Sequence, residues 1–471
     1  MKWRAAATVL GAGIAVALAF PAGAAAHGLV GRKDLPVPEW LFAWAAAIVL
    51  IVSFVALGLL WSRPRLEGAR TRPLLPLGRW ADVVGGAVGI GAFVLVVVAG
   101  IAGTSVPTAN LAPTFVYVVF WVALAIASAL FGDLFRVLSP WRAAGRACGW
   151  AARRTLGARL APRKAYPQRL GRWPAVAVLV GFAWLELVHT GNDDPALLAW
   201  LGLAYAAAML AGMAVYGVDP WCDRADGFGV LFSMFARLSP FARRDGRLLW
   251  RRPLSGLTTI ELVPGTVTVL LVMIGTTTFD GASNGDLWSS ISPELDSLFG
   301  SLGFGQTAAT ELAFTVGLAL SIALVAVVYA LGVLGMRTVA PERSARELAG
   351  AFAHTLVPIA LAYLVAHYFS LVAYQGQAMA YLVSDPLGTG ADWFGTATAQ
   401  VDYTLFSASF IWYVQVVALV AGHVGGLALA HDRALALFRD SREAVRSQYW
   451  MLTVMVGYTC LGLWLLSAVS S

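Results

Sequence analysis

The side chains able to do chemistry in this 471-residue chain fall within its most apolar stretches. Glu186 and His189 close one such run, Glu261 opens another, and Glu311 stands near the start of a third. His354 and His367 share a fourth; His423 lies inside a fifth, with His431 at its exit. An ionisable group in a hydrocarbon layer is costly, so residues of this kind read first as functional, facing a cavity, a partner or an ion path. Spacing sorts them further. Glu186 and His189 are three residues apart and share one helix face. His354 and His367 are 13 residues apart, about 20 Å along a helix axis and on different faces, so one metal ion cannot bind both.

The arginine bias of the loops between apolar stretches groups these residues by depth. Glu186, His189, Glu311 and His367 belong to the outer leaflet, while Glu261, His354 and His423 lie toward the cytoplasm. His367 stands on a stripe with Tyr363, Ser370 and Tyr374. A set of neutral imidazoles and carboxylates such as the outer one suits Zn²⁺, Fe or Cu²⁺. Two membrane histidines about 13 residues apart also resemble the ligand spacing of two-haem cytochromes b. His189 would then face His367 on the outside and His423 would face His354 on the inside, with bis-imidazole ligation. Plainer readings stand beside these. Glu186 and His189 can be solvated headgroup residues, Glu261 and Glu311 first-turn acids facing a helix dipole, and His431-Asp432-Arg433 an interfacial helix exit. His354, His367 and His423 resist such readings, because Leu, Ala and Val flank them on both sides.

The elements that must position these residues follow from composition. Hydrophobic residues make up 59% of the chain and charged residues 13%, where a soluble domain carries roughly a quarter charged. The apolar residues form stretches of about 20, enough to cross a ~30 Å hydrocarbon core as helices, in which every backbone amide is satisfied internally. The expected fold is therefore an all-α polytopic bundle of ten spans: 39–62, 80–103, 114–136, 173–190, 196–217, 258–279, 308–336, 348–373, 404–430 and 449–468. Segment 136–172 holds nine arginines and Lys164 with no acid, and 218–256 holds seven arginines. The loops 104–113, 191–195, 280–307 and 374–403 contain no Lys or Arg but carry acids such as Asp280, Asp286, Asp385 and Asp392. Positive loops stay inside, which sets the direction of every span; Arg32-Lys33 is the one exception.

Lys2 and Arg4, the apolar run 5–20 and the small residues up to Ala26 have the pattern of a cleavable signal peptide over 1–26. Cutting after Ala26 would leave His27 as the mature N-terminus, where amine and imidazole form a possible copper site. The remainder, 27–471, reads as one transmembrane domain in the bacterial cytoplasmic membrane, with both mature termini extracytoplasmic. The net charge of +7 belongs to arginines at helix ends facing anionic headgroups, so the partners expected are lipid and a small-molecule or ion substrate, not nucleic acid. Cys148, Cys222 and Cys460 include no CxxC pair, and no disulfide or thiolate metal site is expected.

Several segments have a shape of their own. Phe135-Arg-Val-Leu-Ser-Pro-Trp141 and Phe235-Ala-Arg-Leu-Ser-Pro-Phe241 form a weak repeat, around 135–146 and 235–247. It reads as a duplicated half-bundle or as a common way to end a helix at a headgroup surface. Segment 228–239 is too short to span and reads as interfacial or re-entrant. Residues 286–299 suit an amphipathic surface helix, and the 374–403 loop a lid. No HExxH, GxSxG or P-loop motif is present.

His27-Gly-Leu-Val-Gly-Arg-Lys-Asp-Leu-Pro-Val-Pro, Asp226-Gly-Phe-Gly-Val, His367-Tyr-Phe-Ser-Leu and Gly422-His-Val-Gly-Gly-Leu-Ala-Leu-Ala-His-Asp-Arg resemble a family of actinobacterial polytopic membrane proteins named fenitrothion hydrolase. The resemblance runs through most of the chain and implies an organophosphate hydrolase, without assigning residues to roles. Three functions are thus expected to compete. A transporter or permease for a small solute or metal ion stands first, then a membrane-embedded metal-dependent hydrolase using Glu186, His189, Glu311 and His367, then a b-type haem electron-transfer subunit.

Overall fold

The computed structural model describes residues 39–469, apart from 69, 156, 158–161 and 439; the expected signal peptide (1–26) and His27 lie outside the described residues. The principal elements run in the order helix α1 (Glu39–Leu60), strand β1 (Thr71–Pro76), α2 (Trp80–Ala102), α3 (Leu111–Phe131), α4 (Pro140–Thr155), α5 (Trp173–Leu187) and α6 (Pro195–Tyr216). The short α7 (Gly227–Phe235) and strands β2 (Phe241–Arg244) and β3 (Arg247–Arg251) follow. Then come α8 (Thr266–Ser283), α9 (Asp286–Ser301), α10 (Gln306–Arg337), α11 (Ala345–Phe352), α12 (Leu356–Gln375), α13 (Ala408–Leu437) and α14 (Tyr449–Val469). Among the described residues seven helices are long and apolar enough to cross a membrane: α2, α3, α6, α8, α10, the run Ala345–Leu382 and α13. Trp44–Leu60 and α5 are shorter apolar helices.

The chain divides into two compact units. One comprises residues up to Gly68, Leu270–Phe369 and Phe406 onward; the other comprises 69–269 and Ser370–Leu405. In the first, α14 packs on α1 and α10, and α13 packs on α1 and α14. Lipid tails are as apolar as leucine, so helices in a bilayer associate through close packing at small residues. Gly422 and Gly426 of α13 serve that purpose: a β-carbon on Gly422 would sit 2.3 Å from Ala362 Cβ and 2.6 Å from the Pro358 carbonyl oxygen of α12. This approach brings the neighbouring His423 against α12. The segment 286–299 does form a helix, α9, whose Trp288 packs edge-on to Phe279 of α8 and Phe314 of α10, at 5.3 and 5.2 Å.

The far end of α13 departs from the interfacial reading. His431 and Asp432 are buried, and they hold the chain that follows α1. His431 Nε2 donates to the Trp61 carbonyl at 2.9 Å. The Asp432 carboxylate accepts from Trp61 Nε1 at 2.9 Å and from the amides of Arg65 and Leu66 at 2.5 and 3.0 Å. Arg433 pairs with Glu67 at 2.9 Å. The buried Asp432 carboxylate thus supplies acceptors to backbone amides that leave α1 without helical partners.

In the second unit the aromatic rings of α3, α5 and α7 form the interior. Phe228 of α7 lies 4.8 Å from Phe120 of α3 and 5.1 Å from Phe182 of α5. At nine residues α7 is about 14 Å long, too short to cross, and it is buried along most of its length. Asp226 caps it through the Gly229 amide at 3.0 Å and is held by the Tyr205 hydroxyl at 2.9 Å. The two copies of the Leu-Ser-Pro repeat lead into different structures: Pro140 opens α4, whereas Pro240 precedes β2. The all-α expectation misses a three-stranded antiparallel sheet, ordered β1-β3-β2. Its β2–β3 turn is Asp245-Gly246, both with positive φ (51° and 71°), the two-residue hairpin form that such a dipeptide favours.

Candidate functional site

One ionisable group in the spanning helices centres on Asp280. The expected span ended near residue 279 and left Asp280 in an outer loop; α8 instead continues to Ser283, so Asp280 is helical. The turn before it contains Thr276, Thr277 and Thr278, whose hydroxyls donate back to the Met273 and Ile274 carbonyls at 2.7 to 3.1 Å. That back-bonding satisfies hydroxyls inside the helix and lets a polar turn continue a buried span. Asp280 Oδ2 lies 2.8 Å from His367 Nε2 and accepts from the Tyr368 hydroxyl at 2.7 Å. The Asp280 and His367 side chains are only 14% and 19% exposed. Neighbours on a helix point about 100° apart, so the carboxylate sits in the angle between these two side chains of α12.

A second polar cluster lies within the same unit. Thr278 Oγ1 is 2.5 Å from the Tyr458 hydroxyl, and the Tyr363 hydroxyl donates to the Tyr458 carbonyl at 2.9 Å. Tyr363 meets the His423 ring edge-on at 6.0 Å. His423 is fully buried, with Nδ1 2.7 Å from the Leu419 carbonyl, which assigns the proton to Nδ1. Its Nε2 has no partner among the described residues, and His423 lines a cavity of about 50 Å³ with Ile274, Tyr329, Thr355, Met455 and Tyr458. A space of this size takes a water or two, and a bare imidazole nitrogen is the acceptor such a water needs.

The other residues singled out by sequence are placed as follows. His354 occupies a single 3₁₀ turn between α11 and α12, buried, with Nε2 unpartnered. Glu186 is in the last turn of α5 and His189 just beyond it, stacked on Trp184 at 5.6 Å. Both are half-buried and belong to the second unit, while Glu311, in the second turn of α10, and His367 belong to the first. Among the described residues, no three of His, Cys, Asp and Glu are grouped so as to hold a metal ion. Glu261 is not inside a helix. Pro264-Gly265, the glycine with φ of 86°, delays α8 until Thr266. Glu261 therefore lies in the preceding loop, its half-exposed carboxylate 2.7 Å from Arg224. Its carbonyl accepts from Arg172, whose guanidinium is lowered to about 10 by burial and by nearby Arg237.

Sequence reasoning missed Asp280, Thr278 and Tyr458. The one signal for Asp280 was its position immediately after an apolar run, where a helix end is uncertain by a turn. Outside the spans, Arg142 of α4 is buried against Asp219 at 2.8 Å and against Asp223, and Arg136 reaches Asp223 at 2.6 Å. Burial alone would raise the Asp223 carboxyl, but Arg142 and Arg136 outweigh it and hold the carboxyl below its usual range. Burial pushes the Cys222 thiol up to about 12, so it stays protonated at neutral pH.

Spanning-length apolar helices that carry ordered ionisable side chains define a polytopic helical membrane protein. Compared with protein-family models, with curated proteins and with solved structures, the chain matches none.

Proposed function

We propose that the protein is a transporter or permease for a small solute, driven by protons that load and leave the Asp280–His367 pair. The observation that carries this reading is the 2.8 Å contact of a largely shielded carboxylate and imidazole on two spanning-length helices. Such a pair has no net charge when it shares one proton between its two groups. Adding a proton makes it positive and removing one makes it negative, and either charge is costly at membrane depth. Proton exchange would therefore favour a rearrangement that reaches water on one side or the other, which is what alternating access requires. Tyr368 adds a donor to the carboxylate, and the Thr278–Tyr458–Tyr363–His423 cluster supplies polar groups deeper in the unit. The arginine bias of the loops supports ten spans in a bacterial cytoplasmic membrane with both mature termini outside.

A second reading, a metal-dependent hydrolase or a haem protein, rests on the Nε2 atoms of His354 and His423, which have no partner among the described residues. The space beside His423, about 50 Å³, favours water there over a porphyrin.

The test is uptake of a panel of small organic solutes and metal ions into proteoliposomes under an imposed acid-outside gradient. Gradient-driven accumulation of a solute, lost in Asp280→Asn, supports the proposal. Accumulation indifferent to both gradient and substitution contradicts it, and a stoichiometric metal or a Soret band in the purified protein transfers support to the second reading.

A further inference from the structure

The second unit contains a large charged cleft that the proton pair does not use. It encloses about 790 Å³ between the start of α2, the β2–β3 hairpin and the region of Asp133 to Arg146. That volume is within the ~300–1,000 Å³ typical of small-ligand sites. Its wall carries six arginines against three aspartates, a formal excess of three positive charges.

The cleft is built rather than merely basic. Arg243 grips both oxygens of Asp82, at 2.7 and 3.0 Å. The Gly246 carbonyl at the hairpin tip accepts from the Leu77 and Gly78 amides at 2.8 and 3.2 Å. Arg136 is held by Asp223 at 2.6 Å and Arg146 lies 3.5 Å from Asp219, while Arg244 and Asp245 are exposed at the hairpin tip. Arg79 and Arg247 also line the cleft, and neither has an acidic partner among the described residues. Two exposed guanidiniums on the wall of one cleft, without acidic partners among the described residues, suit a phosphate, which arginine binds bidentately.

The rim shows where that phosphate would come from. Trp80, adjacent to Arg79, is 64% exposed at the first position of a spanning-length helix, and Leu74 and Leu75 project from a strand exposed at every residue. Exposed tryptophan at a span end marks the headgroup level. We propose that this cleft holds the phosphate of an anionic phospholipid headgroup, with Arg79 and Arg247 as its principal ligands.

Native mass spectrometry of the purified full chain tests this, with phosphatidylglycerol, phosphatidylcholine and inorganic pyrophosphate added in separate arms. Phosphatidylglycerol should be retained in preference to phosphatidylcholine. Binding should weaken about tenfold or more in Arg79→Gln/Arg247→Gln, the loss of charged hydrogen bonds. It should be unchanged in Arg169→Gln/Arg252→Gln, two exposed arginines outside the cleft. Equal weakening in both double variants, or none in either, would overturn the assignment. Pyrophosphate binding without lipid retention would give the cleft to a soluble phosphate and also overturn it. Unchanged thermal stability of each double variant shows that the comparison is made on folded protein.

Discussion

Asp280 of α8 and His367 of α12 meet at 2.8 Å, with Tyr368 donating to the same carboxylate oxygen at 2.7 Å. Removing one partner of a fully buried pair costs about 3–5 kcal/mol, and the partial exposure of these two side chains sets that as an upper bound here. Asp280→Ala is expected to lower stability in detergent by less than that, on the order of 1–3 kcal/mol. The double variant Asp280→Ala/His367→Ala should cost less than the two single changes together, because the second change removes the stranded group. Strict additivity in denaturant titrations would mean that the two groups do not interact.

Asp432 is predicted to fasten the chain leaving α1. Asp432→Ala removes the acceptor of the Trp61 indole and of the Arg65 and Leu66 amides, and stranded donors of this kind cost about 1–3 kcal/mol each. Limited proteolysis should cut near residues 61–68 at least several-fold faster than in the wild type, and the Trp61 emission should shift red. Unaltered cleavage would show that the clamp is dispensable.

The contact of α13 with α12 depends on a missing side chain. Gly422→Ala places a β-carbon 2.3 Å from Ala362 Cβ, so the helices must separate, at a cost of about 1–3 kcal/mol or more. Gly425→Ala, where the nearest atom is Pro358 Cβ at 3.5 Å, should be tolerated. A thermal-shift comparison in one detergent separates the two, and equal melting temperatures would contradict the packing described.

Acid should act on the Arg142–Asp223 contact late. Asp223 has a folded-state pKa below its unfolded value, so its contribution is complete above the unfolded value and is lost as pH falls through the folded one. From pH 7 to about 4 the stability difference between wild type and Asp223→Asn should stay constant, and it should shrink only below that. Asp223 is 45% exposed, so solvent screens part of the effect. A difference that vanished by pH 6 would contradict the pairing.

Much of the helical scaffold could be read from continuous apolar stretches, because the hydrocarbon layer leaves a backbone little choice. The burial of His354 and His423, and the partial burial of His367, was readable for the same reason. The partners were not. Asp280 was lost because hydropathy ends a span at the first acid, while the helix, carried on by the back-bonded threonines, does not. Glu261 was misplaced in the opposite sense, since Val263-Pro264-Gly265 is apolar enough to resemble a span yet breaks the helix. The sheet was signalled by Arg244-Asp245-Gly246-Arg247, a hairpin dipeptide obscured by the arginines that mark a headgroup surface. His431-Asp432-Arg433 looked interfacial by composition, and only tertiary structure brings residues 61–67 over it.

If Asp280 and His367 exchange protons with water, pH-jump currents on a solid-supported membrane will register it. Wild-type protein should give a transient charge displacement when the bath is acidified without any solute, and Asp280→Asn should abolish it. A transient of unchanged size in Asp280→Asn, or none in the wild type, would contradict the account.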